Sequence, residues 1–132
     1  MNFSYDGLLA ARAFTITISS HVTQMFNELK DVVGREFKKN EVETATRLFN
    51  YLGKSFRASD YTWARYTMQK IARSVMEETD KYDVVLTPII SQKPPLIGEH
   101  IPNKHASILC EFFMSLNLKS LTAAAIIKAS AF

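Results

Sequence analysis

The sequence predicts a mainly α-helical chain with one short strand, and three observations carry that reading. Apolar residues recur at three-to-four spacing through most of the first eighty positions. Gly34 and Gly53 fall where such periodic segments stop. A single β-branched run, Val84-Val85-Leu86-Thr87, breaks the helical period and is closed by Pro88.

The first helical segment spans Phe3 to Val33. Leu8, Leu9, Ala13 and Ile16, then Val22, Met25, Phe26, Leu29 and Val33, make its apolar face. Ser4 is placed to cap its start and Gly34 to end it. Thr15-Ile16-Thr17-Ile18 weakens the middle, because side chains branched at Cβ lose rotamer freedom in a helix. One long helix and two helices broken near Ser19-Ser20 both fit. The polar stretch Arg35 to Asn40 reads as loop. Asn40 then caps a second helix, with Glu43 three residues on to complete a capping box. Val42, Ala45, Leu48, Phe49 and Leu52 form the face of that helix, and Gly53 ends it. Ser59 caps a third helix, whose stripe of Ala64, Met68, Ile71 and Val75 is the clearest in the chain.

Beyond Tyr82 the pattern changes. A short apolar run such as Val84–Thr87 reads as a strand buried on both faces, which belongs inside a larger sheet, yet no second strand is evident. Lys93-Pro94-Pro95 through Pro102 is extended loop, since residues before proline avoid the helical region. From His105, Ile108, Leu109, Phe112, Phe113 and Leu116 make another helical face, and Leu121 to Ile127 is a further apolar run.

Composition narrows the function. At 132 residues the default is one domain, and 47% hydrophobic with 22% charged residues is ordinary for a folded protein. A net charge of +3, from 16 basic and 13 acidic residues scattered along the chain, does not single out nucleic acid or an anionic membrane as partner. No run reaches the roughly 18 apolar residues that crossing a bilayer needs. Cys110 is the only cysteine, which excludes an intrachain disulfide and fits a reducing, cytoplasmic setting. The four glycines lie far apart, so no phosphate cradle or nucleophile elbow can form around clustered backbone amides.

The chemistry-bearing residues do not assemble into a site. Ser19-Ser20 with Lys30-Asp31 offers a serine–lysine pairing, but ten residues of helix span about 15 Å, too far for a lysine to deprotonate a serine. His100, His105 and Cys110 are five apart, which spreads them around a helix, and zinc sites use tighter pairs. Trp63, Arg65, Tyr66, Lys70 and Arg73 interleave rings and cations as a single-strand-binding surface does, but Glu77, Glu78 and Asp80 follow at once. The C-terminal apolar segment carries only Lys119 and Lys128 beside Glu111, too few cations for a membrane-surface helix. No catalytic, cofactor-binding or metal-ligating residue is assigned.

Gly34-Arg35, Glu41-Val42-Glu43-Thr44, Leu52-Gly53, Ser59-Asp60-Tyr61, Tyr82-Asp83-Val84-Val85-Leu86-Thr87-Pro88 and Pro94-Pro95-Leu96-Ile97-Gly98-Glu99 fall in that order along the chain. This series resembles the amidase-signature hydrolases, above all members of the amidase and 6-aminohexanoate-cyclic-dimer hydrolase type. The tyrosine–aspartate, apolar strand, threonine–proline and paired-proline succession is the most specific part. The resemblance implies a partial piece of an α/β parent fold, in which Val84–Thr87 is one strand of a large sheet. It implies amide hydrolysis by a serine–serine–lysine triad in the parent, with the serines in a glycine- and serine-rich stretch that also supplies the oxyanion hole. This chain has neither that stretch nor the upstream lysine.

Residues 1–99 thus read as an amidase-like helical region ending in a strand and a proline-rich loop, and 100–132 as a divergent apolar helical tail. The expected role is a fragment of an amidase-signature hydrolase, inactive alone, that self-associates or joins a complementary amidase half, without nucleic acid or membrane. The alternative is a stand-alone helical protein-interaction module.

Overall fold

The computed structural model describes residues 5–87, 93, 94, 96 and 104–116, the last of these stretches without the side chains of residues 104–106 and 113. Four helices carry the described chain: α1 (Gly7–Val33), α2 (Thr44–Gly53), α3 (Ala58–Thr79) and α4 (Lys104–Ser115). α1 is the central element. α2 and α3 each pack against it and not against each other, and α4 leans on α2.

α1 runs unbroken through Ser19-Ser20. Its hydroxyls stay inside the helix: Thr15 donates to the Ala11 carbonyl (2.9 Å), Thr17 to Ala13 (2.8 Å) and Ser20 to Ile16 (2.8 Å). Each such bond gives the polar group a partner without ending the helix. Ala13, Thr15, Ile16 and Ser19 are buried, so packing holds the stretch that propensity alone leaves weak. The start is capped by Asp6, whose Oδ1 accepts from the Leu8 and Leu9 amides at 2.9 and 3.1 Å. Its negative charge also suits the helix N-terminus. Ser4, the cap expected from sequence, lies outside the described residues. Gly34 ends the helix in the left-handed region at φ 75°, as its position predicted, and its amide bonds the Lys30 carbonyl at 2.7 Å.

The next two starts differ from the sequence reading. α2 begins at Thr44 with Glu43 as cap residue, so Asn40 caps nothing and Val42 lies outside the helix. The reason is Glu41. Its carboxylate takes both arms of the Arg35 guanidinium, each at 2.9 Å, and the Lys38 amide at 2.9 Å, which closes residues 35–41 into a loop. α3 begins at Ala58, ahead of Ser59, because Asp60 reaches back to accept from the Arg57 amide at 2.8 Å.

The Arg35 bonds, then the Lys38 amide, pull the Glu41 carboxyl down from its ordinary value of 4.5 to about 2. A depressed folded-state value means that this contact favours folding above pH 4.5 and ceases to as pH falls through about 2. A carboxyl-resolved NMR titration is expected to place Glu41 near 2 in wild type and to return it to the ordinary range in Arg35→Gln.

Val84–Thr87 is not a strand, and among the described residues there is no strand at all. The side chains expected to be buried are exposed, Val84 at 72%, Val85 at 42% and Leu86 at 92%. Strand-forming residues make a strand only beside a partner that takes up their backbone amides and carbonyls. None of the described elements supplies one.

The core is small. Ala13, Ile16 and Ala64 pack together under half-buried Phe56, and Leu48 and Leu52 bury against the other flank of α1. The α1–α2 crossing is close because Gly53 has no side chain: a Cβ there would sit 2.2 Å from both the Ser19 carbonyl oxygen and Thr23 Oγ1. Thr23 Oγ1 in turn donates to the Asn50 carbonyl at 3.1 Å, tying the two helices across that contact.

Candidate interaction surface

The apolar stripe read on α3 divides when the helix docks on α1. Ala64 is fully buried and Thr67 nearly so, while Ile71 and Val75 are half-buried and Met68 stays exposed. Met76 and Tyr66 are more exposed still, at 68% and 62%. A helix of 22 residues therefore uses only its N-terminal half to meet α1 closely. Two ring contacts mark that seam: the Arg12 guanidinium lies over Trp63, 4.9 Å from its centroid, and His21 meets Tyr61 edge-on at 5.8 Å. On α1, Leu8, Leu9, Phe14, Met25 and Leu29 also face water. On α4, Ile108, Leu109 and Phe112 are exposed, as is Leu116 just past its end.

Single exposed apolar residues are ordinary on any protein surface. Here they include Met68 of the stripe that periodicity marked on α3, the whole apolar part of Val84–Leu86 and one face of α4. Where such residues adjoin in a patch of several hundred square ångströms, the surface is one that other protein can cover.

The groupings that sequence analysis set aside as catalytic remain apart. Ser19 is fully buried with its Oγ unpartnered, Ser20 is bonded to Ile16, and the Lys30 ammonium pairs with Glu36. Glu36 raises the Lys30 pKa, through a hydrogen bond first and its charge second, which is the wrong direction for a lysine base. Among the described residues no cluster of histidine, cysteine, aspartate and glutamate could hold a metal ion. Cys110 is half-buried, His100 lies outside the described residues and the His105 side chain is not described. Trp63 is occupied on one face by Arg12, and Arg65, Tyr66, Lys70 and Arg73 are exposed along α3. The Leu121 to Ile127 run lies outside the described residues. Among those described, no helix is long and apolar enough to cross a membrane.

Two shallow concavities flank α1. One, of about 280 Å³, is lined by Ser20, His21, Gln24 and Tyr61. His21 Nδ1 there is 2.8 Å from the Thr17 carbonyl, which assigns the ring proton to Nδ1, and the Ser20 hydroxyl donates to the Ile16 carbonyl. The other lies between the end of α1, the 35–41 loop and α2, a region that sequence reasoning treated only as connection. Compared with protein-family models, curated proteins and solved structures, the chain gives no match.

Proposed function

We propose that the chain is a piece of an amidase-signature type of hydrolase that contributes packing surface rather than catalytic groups. It acts when docked on the part that carries the serine–serine–lysine triad and its oxyanion loop. The ordered motifs from Gly34-Arg35 to Gly98-Glu99 support this reading. The observation that carries it is the exposure of Val84, Val85 and Leu86, strand-forming residues with no sheet to join among the described residues. A second reading, a self-contained helical module, draws on the close α1–α2 contact at Gly53, which closes without further chain. The single, unpaired thiol suits a cytoplasmic assembly in either case.

The chain alone is expected to hydrolyse no short linear or cyclic amide of the aminohexanoate type. Co-expression with a glycine/serine-rich amidase half is expected to yield a co-purifying complex. Turnover by the isolated chain that is absent from a mock purification and survives Ser19→Ala with Ser20→Ala would refute the proposal. Failure of any such half to co-purify, with a well-folded monomer left behind, would favour the self-contained module.

A further inference from the structure

α3 packs on α1 and on no other described element, so its remaining flanks are open. Along one of them Met68, Ala72 and Met76 recur every four residues, and all three are exposed, the methionines at 37% and 68%. Residues four apart stand on one face of a helix. The stripe is therefore apolar with its smallest side chain in the middle, where a second helix can come closest.

Charge decides which helix fits. In chain order α3 carries Arg65, Lys70 and Arg73, then Glu77 and Glu78, with Asp80 at its end. The two ends of the stripe thus differ in sign, with Arg65 about one turn before Met68 and Asp80 about one turn past Met76. Among the described residues, neither Arg65 nor Asp80 has an opposite charge within ion-pair distance. Two such helices side by side in the same direction would set like charge against like at both ends. Reversed, they are complementary. We propose that this stripe is a self-association surface, on which α3 of a second copy lies antiparallel across a two-fold axis at Ala72. Met68 then meets Met76 of the second copy, and Arg65 comes within the rise of one residue, about 1.5 Å, of the level of its Asp80. At about 100° of turn per residue, Lys70, Arg73 and Glu77 stand well round the helix from Ala72, away from the seam. Exposed ion pairs add little affinity, so the charges set direction while the pliable methionines carry the contact. The pairing does not rest on the amidase reading.

Single-cysteine variants of the whole chain test the register, made with Cys110→Ser so that no other thiol is present. Met68→Cys mixed with Met76→Cys is expected to give a disulfide-linked dimer on mild oxidation, and either variant alone is not. Like positions would lie eight residues apart along the pair, about 12 Å, beyond disulfide reach. Sedimentation equilibrium of the wild-type chain is expected to give a dimer with a Kd of about 10–100 µM, suited to a contact of one helix pair. Ala72→Glu is expected to weaken it at least tenfold with helical circular dichroism unchanged. Arg65→Glu is expected to weaken it a few-fold, and adding Asp80→Lys to restore it. Cross-linking by either cysteine variant alone would mean that the helices run parallel. Unchanged association of Ala72→Glu would assign the contact to another face, and a monomer throughout that range would leave the stripe to a different protein. Each of the three would overturn the proposal.

Discussion

Gly53→Ala is expected to destabilise the fold by about 3 kcal/mol, the upper end of what overpacking costs. The new Cβ would sit 2.2 Å from the Ser19 carbonyl oxygen and from Thr23 Oγ1, and 2.7 Å from the Ser19 carbonyl carbon. Atoms in ordinary contact stand about 3.5 Å apart, so more than an ångström must be recovered. Thr23 can rotate away, at the expense of its bond to the Asn50 carbonyl. The Ser19 carbonyl cannot, because it belongs to the backbone of a helix that continues for fourteen residues to Val33. α2 must therefore lift off α1. Alanine also gains about 1 kcal/mol of helix propensity over glycine, and the steric term exceeds it. Gly7 is the control: a Cβ there meets nothing within 4 Å, so Gly7→Ala is expected to be neutral or slightly stabilising. Urea unfolding followed by helical circular dichroism separates the two. Equal midpoints for both variants would mean that α2 does not cross α1 at Gly53.

Leu52→Ala is expected to cost a similar amount, about 2–5 kcal/mol. Among the described residues Leu52 is the largest hydrophobic side chain that is wholly buried, and it sits next to the glycine of the same crossing. Removing it deletes apolar contact and leaves a void that the surrounding helices fill only in part. For a small domain with total stability of about 5 kcal/mol, that loss is most of what there is. Leu86 supplies the contrast, since at 92% exposure its replacement by alanine removes almost no packing. The urea midpoint is expected to fall sharply for Leu52→Ala and to stay put for Leu86→Ala. Similar falls in the two would show that Leu86 is buried in solution, against another copy or against the chain itself.

The helices were legible because their signals are local. Gly34 ends α1 in the left-handed conformation its position foretold, and Ala64, Leu48 and Leu52 lie inward as their spacing required. The helix starts were less legible, since several polar residues compete to cap each one and side-chain geometry decides among them. Asp6 carries the first cap, Glu41 is drawn off into the Arg35 loop, and Asp60 rather than Ser59 steadies α3. Whether α1 broke at Ser19-Ser20 turned on burial of that face against α2 and α3, a property of the packed helices together. Val84–Thr87 misled for a related reason: its residues state a preference, but a strand exists only when another strand is present. The exposed apolar surface was visible in sequence only as that mismatch. The concavity between the 35–41 loop and α2 had no sequence signal, because it arises only where that loop, α1 and α2 meet.

The central claim is that this chain is built to be covered by other protein. Burying one large aliphatic side chain is worth roughly 1.5–3 kcal/mol, and Met68, Met76, Val84, Leu86, Ile108 and Phe112 all stand exposed. Two copies meeting across a two-fold axis would hide such surface in the absence of another partner. Sedimentation velocity of the isolated chain across the micromolar range measures this directly. A dimer or larger species, dissociating on dilution, is the predicted result. A single sharp monomer at every concentration, stable to prolonged storage, would contradict it.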